Sequence, residues 1–466
     1  MRHFLSTLLR QNVATKSLKN PSFFMPRMQF NGSRLKKDEL RAKVLPSSMT
    51  PINRYERLSS LLDTFSALKT KPLPSNAKEL TREIVLKRMK DSYVEEILPV
   101  KSNPSVAELY CGAFGKMRLG RLWEDLDSLA GVIAYKHADD GHPNSRPLTI
   151  VTASVDRIEM LSDYDLETDY KLSGHVTYVG YSSIEVFMKM ERLPVETDNN
   201  SSKDISNETG GIIRAGNDTV LLARFTMVAK DAATGASAQV NPLRLDSPAE
   251  RRLFQLGEEM KQRKRVAAEE ALTRRPPTPE ERLLVHDLYL EYSKYDDPSG
   301  KITLPPATCW MNSTRMESVY LMQFDDRNIH GFIFGGYLMR RAHELALSNA
   351  SLFLGTHPKF LALDQISFHA PVPIGSVLKL VSEITYAEGG EHKSFQVSVE
   401  ADVMDVKTGD RKRTNVFHFT WEAPDGVKVP RVIPRTYAES MKFVEGRRRK
   451  LLGVRSRALN RAFTEK

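Results

Sequence analysis

Val155-Asp-Arg-Ile158 returns as Leu363-Asp-Gln-Ile366 after 208 residues, and this self-similarity decides the fold. Without a gap, Met160 then meets Phe368, Leu166 meets Ile374, and Lys171-Leu172 meets Lys379-Leu380. Val176-Thr-Tyr178 likewise meets Ile384-Thr-Tyr386. Upstream the offset becomes 216: Gly115 meets Gly331, Gly120 meets Gly336, Leu122 meets Leu338, and Leu129-Ala130 meets Leu345-Ala346. Toward the end of each repeat Phe225-Thr226 meets Phe419-Thr420. The matches keep their order in both halves, so the chain is a duplication.

Each half reads as one helix followed by strands. Leu122, Leu126, Leu129, Ala130 and Ile133 recur at helical spacing, as do Leu338, Ala342, Leu345 and Ala346 behind Gly335-Gly336. Leu380 to Tyr386, Phe395 to Glu400 and Val416 to Trp421 alternate and are rich in β-branched or aromatic residues. Turns at Gly389-Gly390 and Thr408-Gly409-Asp410 suit antiparallel connections. One long helix followed by an antiparallel meander predicts an α+β unit whose sheet wraps the helix to bury its apolar stripe. Between the halves, Ser247-Pro-Ala-Glu250 and Thr278-Pro-Glu-Glu281 each read as a capping box opening a helix. The polar stretch 196–217 reads as a surface loop inserted in the first half.

Charge and composition narrow the function. The net charge is +10, yet the first 37 residues hold eight Lys/Arg and no acid, and 426–466 holds twelve Lys/Arg against three Glu. The middle of the chain is therefore acidic, unlike a nucleic-acid reader with a basic folded face. No apolar run approaches the roughly 20 residues of a membrane span. Met1-Arg-His-Phe-Leu-Ser-Thr-Leu-Leu-Arg10 has the composition of a mitochondrial transit peptide. Cys111 and Cys309 form no disulfide framework and fit a reducing compartment such as the matrix.

The local signal for chemistry is Asn328-Ile-His-Gly331-Phe-Ile-Phe-Gly335-Gly336-Tyr-Leu-Met339. Glycines ahead of a helix allow close approach of a ligand, and the free N–H groups of the first turn suit a developing oxyanion. No His/Cys cluster supports a metal, neither cysteine carries a nucleophile motif, and there is no G-x-S-x-G elbow.

This pattern, N-x-x-G-x-x-x-G-G before a helix, resembles the hotdog-fold acyl-CoA thioesterases, and the duplicated layout resembles their mitochondrial double-hotdog type. The resemblance covers roughly 91–425. It implies a tandem hotdog, each unit a long central helix wrapped by an antiparallel sheet, that hydrolyses fatty acyl-CoA without a cofactor. It implies a homo-oligomer too, a trimer of two-hotdog chains.

In that family a loop Asn faces a helix Asp of the other unit, fifteen positions beyond the aligned Asn. Carried over, the loop Asn is Asn328, but its own helix position is His343. The first half has Gly112 in the loop and Asp127 on the helix. The resemblance therefore implies one composite site, Asn328 with Asp127, and one degenerate pair, Gly112 with His343. Asp127 would be the general base, Asn328 would hold the water or carbonyl, and the amide of Gly335 or Gly336 would polarise the thioester oxygen. Gly331 and His330 stand as further substrate contacts, and Arg447-Arg-Arg-Lys450 as a candidate for CoA phosphates.

The expected organisation is a transit peptide over 1–40, an extension over 41–90, hotdog domain 1 over 91–241 and a helical linker over 242–300. Hotdog domain 2 then spans 301–425 and a basic tail 426–466, with no further lipid-binding domain expected. Two rival readings share the fold. An acyl-thioester hydratase would use Asp-x-Asn-x-x-His, which is not intact here, and a degenerate pair could bind acyl-CoA without turnover.

Overall fold

The computed structural model describes residues 80–464, apart from 143, 195–217, 297–301 and 327–330. The transit-peptide expectation, the polar insertion, Asn328 and His330 thus lie outside the described residues.

The first half runs β1 (Lys87–Arg88), β2 (Val94–Leu98), α1 (Pro104–Tyr110), α2 (Leu119–Ala138), β3 (Leu148–Met160), β4 (Tyr170–Val179), β5 (Ser183–Arg192) and β6 (Thr219–Asp231). β7 (Leu243–Arg244), α3 (Pro248–Glu269) and α4 (Pro279–Tyr292) follow. The second half runs β8 (Thr308–Trp310), β9 (Met316–Leu321), α5 (Gly335–Leu354), β10 (Lys359–Leu363), β11 (Ile366–Ser367), β12 (Val377–Tyr386), β13 (Ser394–Met404) and β14 (Arg411–Glu422). β15 (Arg431–Ile433) and α6 (Tyr437–Thr464) complete it. Both predicted capping boxes form, Ser247 with Glu250 and Thr278 with Glu281.

Eleven strands make one antiparallel sheet in the order β2-β4-β5-β6-β3-β10-β14-β13-β12-β9, with β11 also pairing β3. At the seam Ile366 lies opposite Val155, and Leu363 opposite Ile158. These are the residues that the 208-residue offset equates, now paired crosswise. Crosswise pairing of equivalents is the mark of a two-fold relation, so the halves meet as the two subunits of an isologous dimer would.

The sheet wraps α2 and α5, which pack on each other. Leu122, Trp123, Leu126, Leu129, Ala130 and Ile133 of α2 are fully buried, and so are Met339, Ala342, Ala346 and Ala350 of α5. Each large apolar side chain so buried contributes about 1.5–3 kcal/mol. The helices come together at two glycines. A Cβ on Gly120 would lie 2.8 Å from Cγ of Arg340, and one on Gly336 would lie 2.7 Å from Cα of Glu124. The 216-residue offset equates Gly120 with Gly336 and Glu124 with Arg340, so this contact is also reciprocal. Glu124 and Arg340 themselves form a buried ion pair, Oε1 to Nε 3.3 Å. The architecture is a tandem hotdog.

The stretch read as a basic tail is in fact α6, and it repeats α3. Gly257 of α3 seats on Tyr178, and Gly446 of α6 on Tyr386, the two tyrosines that the repeat equates. Lys261 and Lys450 each hold their ammonium 5.6 Å from the ring of their own tyrosine. The basic run is committed within the fold: Arg448 to Glu281 at 2.7 Å, Arg449 to Glu445 at 2.7 Å and Lys450 to Glu388 at 3.1 Å. These carboxylates come from α4, from α6 itself and from the loop after β12. Helical spacing accounts for the pair of Arg449 with Glu445, but not for the other two.

Candidate active site

Asp127 occupies the third turn of α2, where the apolar stripe would otherwise continue, and only 2 % of it is exposed. Burying a carboxylate requires hydrogen-bond donors. Two are in place. The backbone N–H of Gly336 donates to Oδ2 at 2.7 Å, and the hydroxyl of Thr152 on β3 donates to Oδ1 at 2.7 Å. The first bond crosses between the halves, at the N-terminus of α5, where the helix dipole also favours a negative charge. The close approach needs the glycines: a Cβ at Gly335 would stand 3.0 Å from Oδ2 of Asp127, and one at Gly336 3.2 Å from its Cβ.

The structure therefore joins Asp127, Gly335 and Gly336. It also resolves which first-turn amide is open. The N–H of Gly336 is taken by Asp127, while among the described residues that of Gly335 has no partner. Gly331 adopts φ +79°, a left-handed conformation that suits glycine, and turns the chain four residues before α5. Phe334 caps α5 and its ring edge would lie 2.8 Å from a Cβ on Gly336; the ring of Phe368 would lie 3.5 Å from one on Gly335.

The related position in the other half is built differently. His343, equivalent to Asp127, is enclosed by Trp123, Phe360, Phe419 and Trp421, with ring centroids 5.4–5.8 Å away. Burial among these rings pushes its imidazole down to about 4, and its Nε2 has no hydrogen-bond partner. Phe360 stands where the offset would place the counterpart of Thr152. On the loop side, Gly112 is closed into a tight turn, its N–H donating to the Lys116 carbonyl at 2.7 Å. The four rings occupy the space around the His343 imidazole.

Thr152 escaped the sequence reading because strand register, not spacing, carries it to Asp127, 25 residues away. Among the described residues no group of three or more His, Cys, Asp or Glu side chains could hold a metal ion. Nor is any helix among them long and apolar enough to cross a membrane.

The chain is similar to known proteins over most of its length. The chain is 38% identical over 392 residues to mitochondrial acyl-coenzyme A thioesterase 9 of Bos taurus, covering 83% of this chain and 81% of that one. It is 37% identical over 366 residues to the Homo sapiens thioesterase 9, covering 78% and 77%. It is 33% identical over 350 residues to chloroplastic acyl-coenzyme A thioesterase 2 of Humulus lupulus, covering 72% and 75%. The chain belongs to the acyl-coenzyme A thioesterase family.

Similar solved structures include an acyl-CoA hydrolase from Staphylococcus aureus, with TM-score 0.29 and 23% identity, covering 33% of this chain and 96% of that one. An acyl-CoA hydrolase from Agrobacterium tumefaciens gives TM-score 0.23 and 17% identity, covering 72% and 96%. No family profile matches the chain.

Proposed function

We propose that the chain hydrolyses fatty acyl-CoA to free fatty acid and CoA at one composite site between its halves, with Asp127 as general base. The observation that carries this reading is the Asp127 carboxylate held against the N-terminus of α5 by Gly336 and Thr152. An ionised carboxylate can accept from a water as well as from fixed donors. That water attacks the thioester carbon while Asp127 takes its proton. The Gly335 N–H and the positive end of α5 stabilise the oxyanion, and Asn328 orients the water or carbonyl. Collapse of the intermediate breaks the C–S bond and the proton leaves with the CoA thiol. Gly331 and His330 are proposed as further substrate contacts. The domain limits 91–241 and 301–425 are likewise our reading, with α3 and α6 each covering the unit it follows.

The relatives' names and the acid-free N-terminus support a mitochondrial location, and we place the protein in the matrix. Kinship with the double-hotdog type supports a homo-oligomer, a trimer of these chains, which light scattering would read as mass.

The test is thiol release from acyl-CoAs by wild type, Asp127→Asn and His343→Ala, each checked for folding. General-base catalysis is worth about 10²–10⁴-fold, so Asp127→Asn should lose at least a hundredfold while His343→Ala keeps turning over. Undiminished hydrolysis by folded Asp127→Asn would remove the carboxylate from the mechanism.

A further inference from the structure

We propose that Phe368 is a specificity-determining residue of this site, its ring forming the wall against which the acyl chain lies as it leaves the thioester carbonyl. The proposal rests on the catalytic reading above.

Its first support is position. The Cβ direction of Gly335 meets two things at once, the Asp127 carboxylate oxygen at 3.0 Å and the edge of the Phe368 ring at 3.5 and 3.6 Å. The carboxylate and the ring thus both border Gly335, whose amide receives the carbonyl in the proposed reaction. Phe368 is also fixed there. Its N–H donates to the Ala153 carbonyl at 2.9 Å, tying the residue after β11 to the strand that carries Thr152. The ring packs on the core yet remains half-buried, so it has apolar surface still to cover.

Its second support is the contrast with the other half. The repeat equates Phe368 with Met160 and Phe334 with Arg118. Met160 is buried, and Arg118 is turned to an ion pair with Glu344. Phe334 and Phe368 flank the glycine step of α5, whereas Arg118 and Met160 stand at the equivalent places beside α2.

The chemistry of the surface selects the acyl arm over the pantetheine arm. Pantetheine carries two amides, which a bare ring would leave without partners, whereas methylenes lose nothing against it. Covering one methylene changes affinity by a factor of about four, so contact with two or three of them sets a chain-length preference of tenfold or more.

The experiment measures kcat/KM of the full-length protein for straight-chain acyl-CoAs from acetyl to palmitoyl, with Phe368→Ala, Phe368→Leu and Asp127→Asn in parallel. CoA product inhibition and thermal unfolding midpoints accompany it. In Phe368→Ala the ratio of kcat/KM for octanoyl- over acetyl-CoA should fall about tenfold, and Phe368→Leu, which keeps an apolar wall, should lie between. An unchanged ratio overturns the proposal, as does an equal loss at every chain length accompanied by weaker CoA inhibition, which would put the ring on the pantetheine arm. If Phe368→Ala is too unstable to assay, Phe368→Leu decides by the same ratio. Activity retained in Asp127→Asn would instead sink the catalytic reading, so the two failures are separable.

Discussion

Replacing Gly336 by alanine adds one methyl group where α2 and α5 touch, and its consequence follows from the distances there. The new Cβ would stand 2.7 Å from Cα of Glu124 and 3.2 Å from Cβ of Asp127. Carbon atoms rest at about 3.5–4.0 Å, and a backbone atom has no rotamer by which to retreat. Helix α2 must therefore withdraw by about 1 Å, stretching the 2.7 Å bond from Gly336 N–H to Asp127 beyond hydrogen-bond range. Overpacking costs about 1–3 kcal/mol and loss of a charged hydrogen bond about 1.5–3 kcal/mol. The helix-propensity gain of alanine returns at most about 1 kcal/mol. A net destabilisation of about 2–4 kcal/mol is expected from these magnitudes.

A displacement of that size at the proposed base is worth about a hundredfold in rate. Gly120→Ala, the equivalent change in the first half, makes the informative control. Its Cβ meets Cγ of Arg340 at 2.8 Å, a side chain held in the buried pair with Glu124, so it costs stability without crowding Asp127. Denaturant unfolding and thiol release on both variants are the assays. Wild-type hydrolysis by Gly336→Ala, or an equal loss in Gly120→Ala, would refute the reasoning.

Thr152→Val removes the hydroxyl donor to Asp127 Oδ1 while keeping the shape, and should lower kcat about tenfold in thiol-release assays. Glu124→Gln leaves the Arg340 guanidinium buried without its counter-charge and should cost about 3–5 kcal/mol in denaturant unfolding, much of it recovered when Arg340→Met is added. His137, His175 and His343 are each pushed down to about 4 by burial, so folding favours their neutral forms. Stability should then be full above about pH 6.5 and fall toward pH 4, by about 1.4 kcal/mol per unit for each histidine. Calorimetry across that window should find a shallower slope in His343→Phe.

The fold was legible because duplication leaves a mark that needs no structural knowledge: the same residue types in the same order, 208 and 216 positions on. The two central helices and the strands of the second half follow from spacing and turn glycines. Of the candidate site, Asp127 came from the family pattern carried onto the aligned halves, and the glycine pair from its place ahead of a helix.

What stayed hidden depends on register or on polar faces. Thr152 reaches Asp127 only because β3 runs beside α2. The bond between Asp127 and Gly336 requires knowing how closely the helices approach. Helix α6 was taken for a tail because its basic residues outweigh its few apolar ones. Yet Thr436, Phe443, Gly446 and Lys450 match Ser247, Phe254, Gly257 and Lys261 at a constant offset, a signal that a longer self-comparison would have found.

The crosswise seam, with Val155 opposite Ile366 and Ile158 opposite Leu363, has a consequence for how such a molecule can change. In a dimer of identical chains every substitution is made at both cavities at once, so a residue that suits catalysis in one must be tolerated in the other. Covalent tandem joining releases that constraint while keeping the same interface. One cavity is then free to hold a carboxylate, a threonine and a glycine step, and the other to fill with tryptophan and phenylalanine.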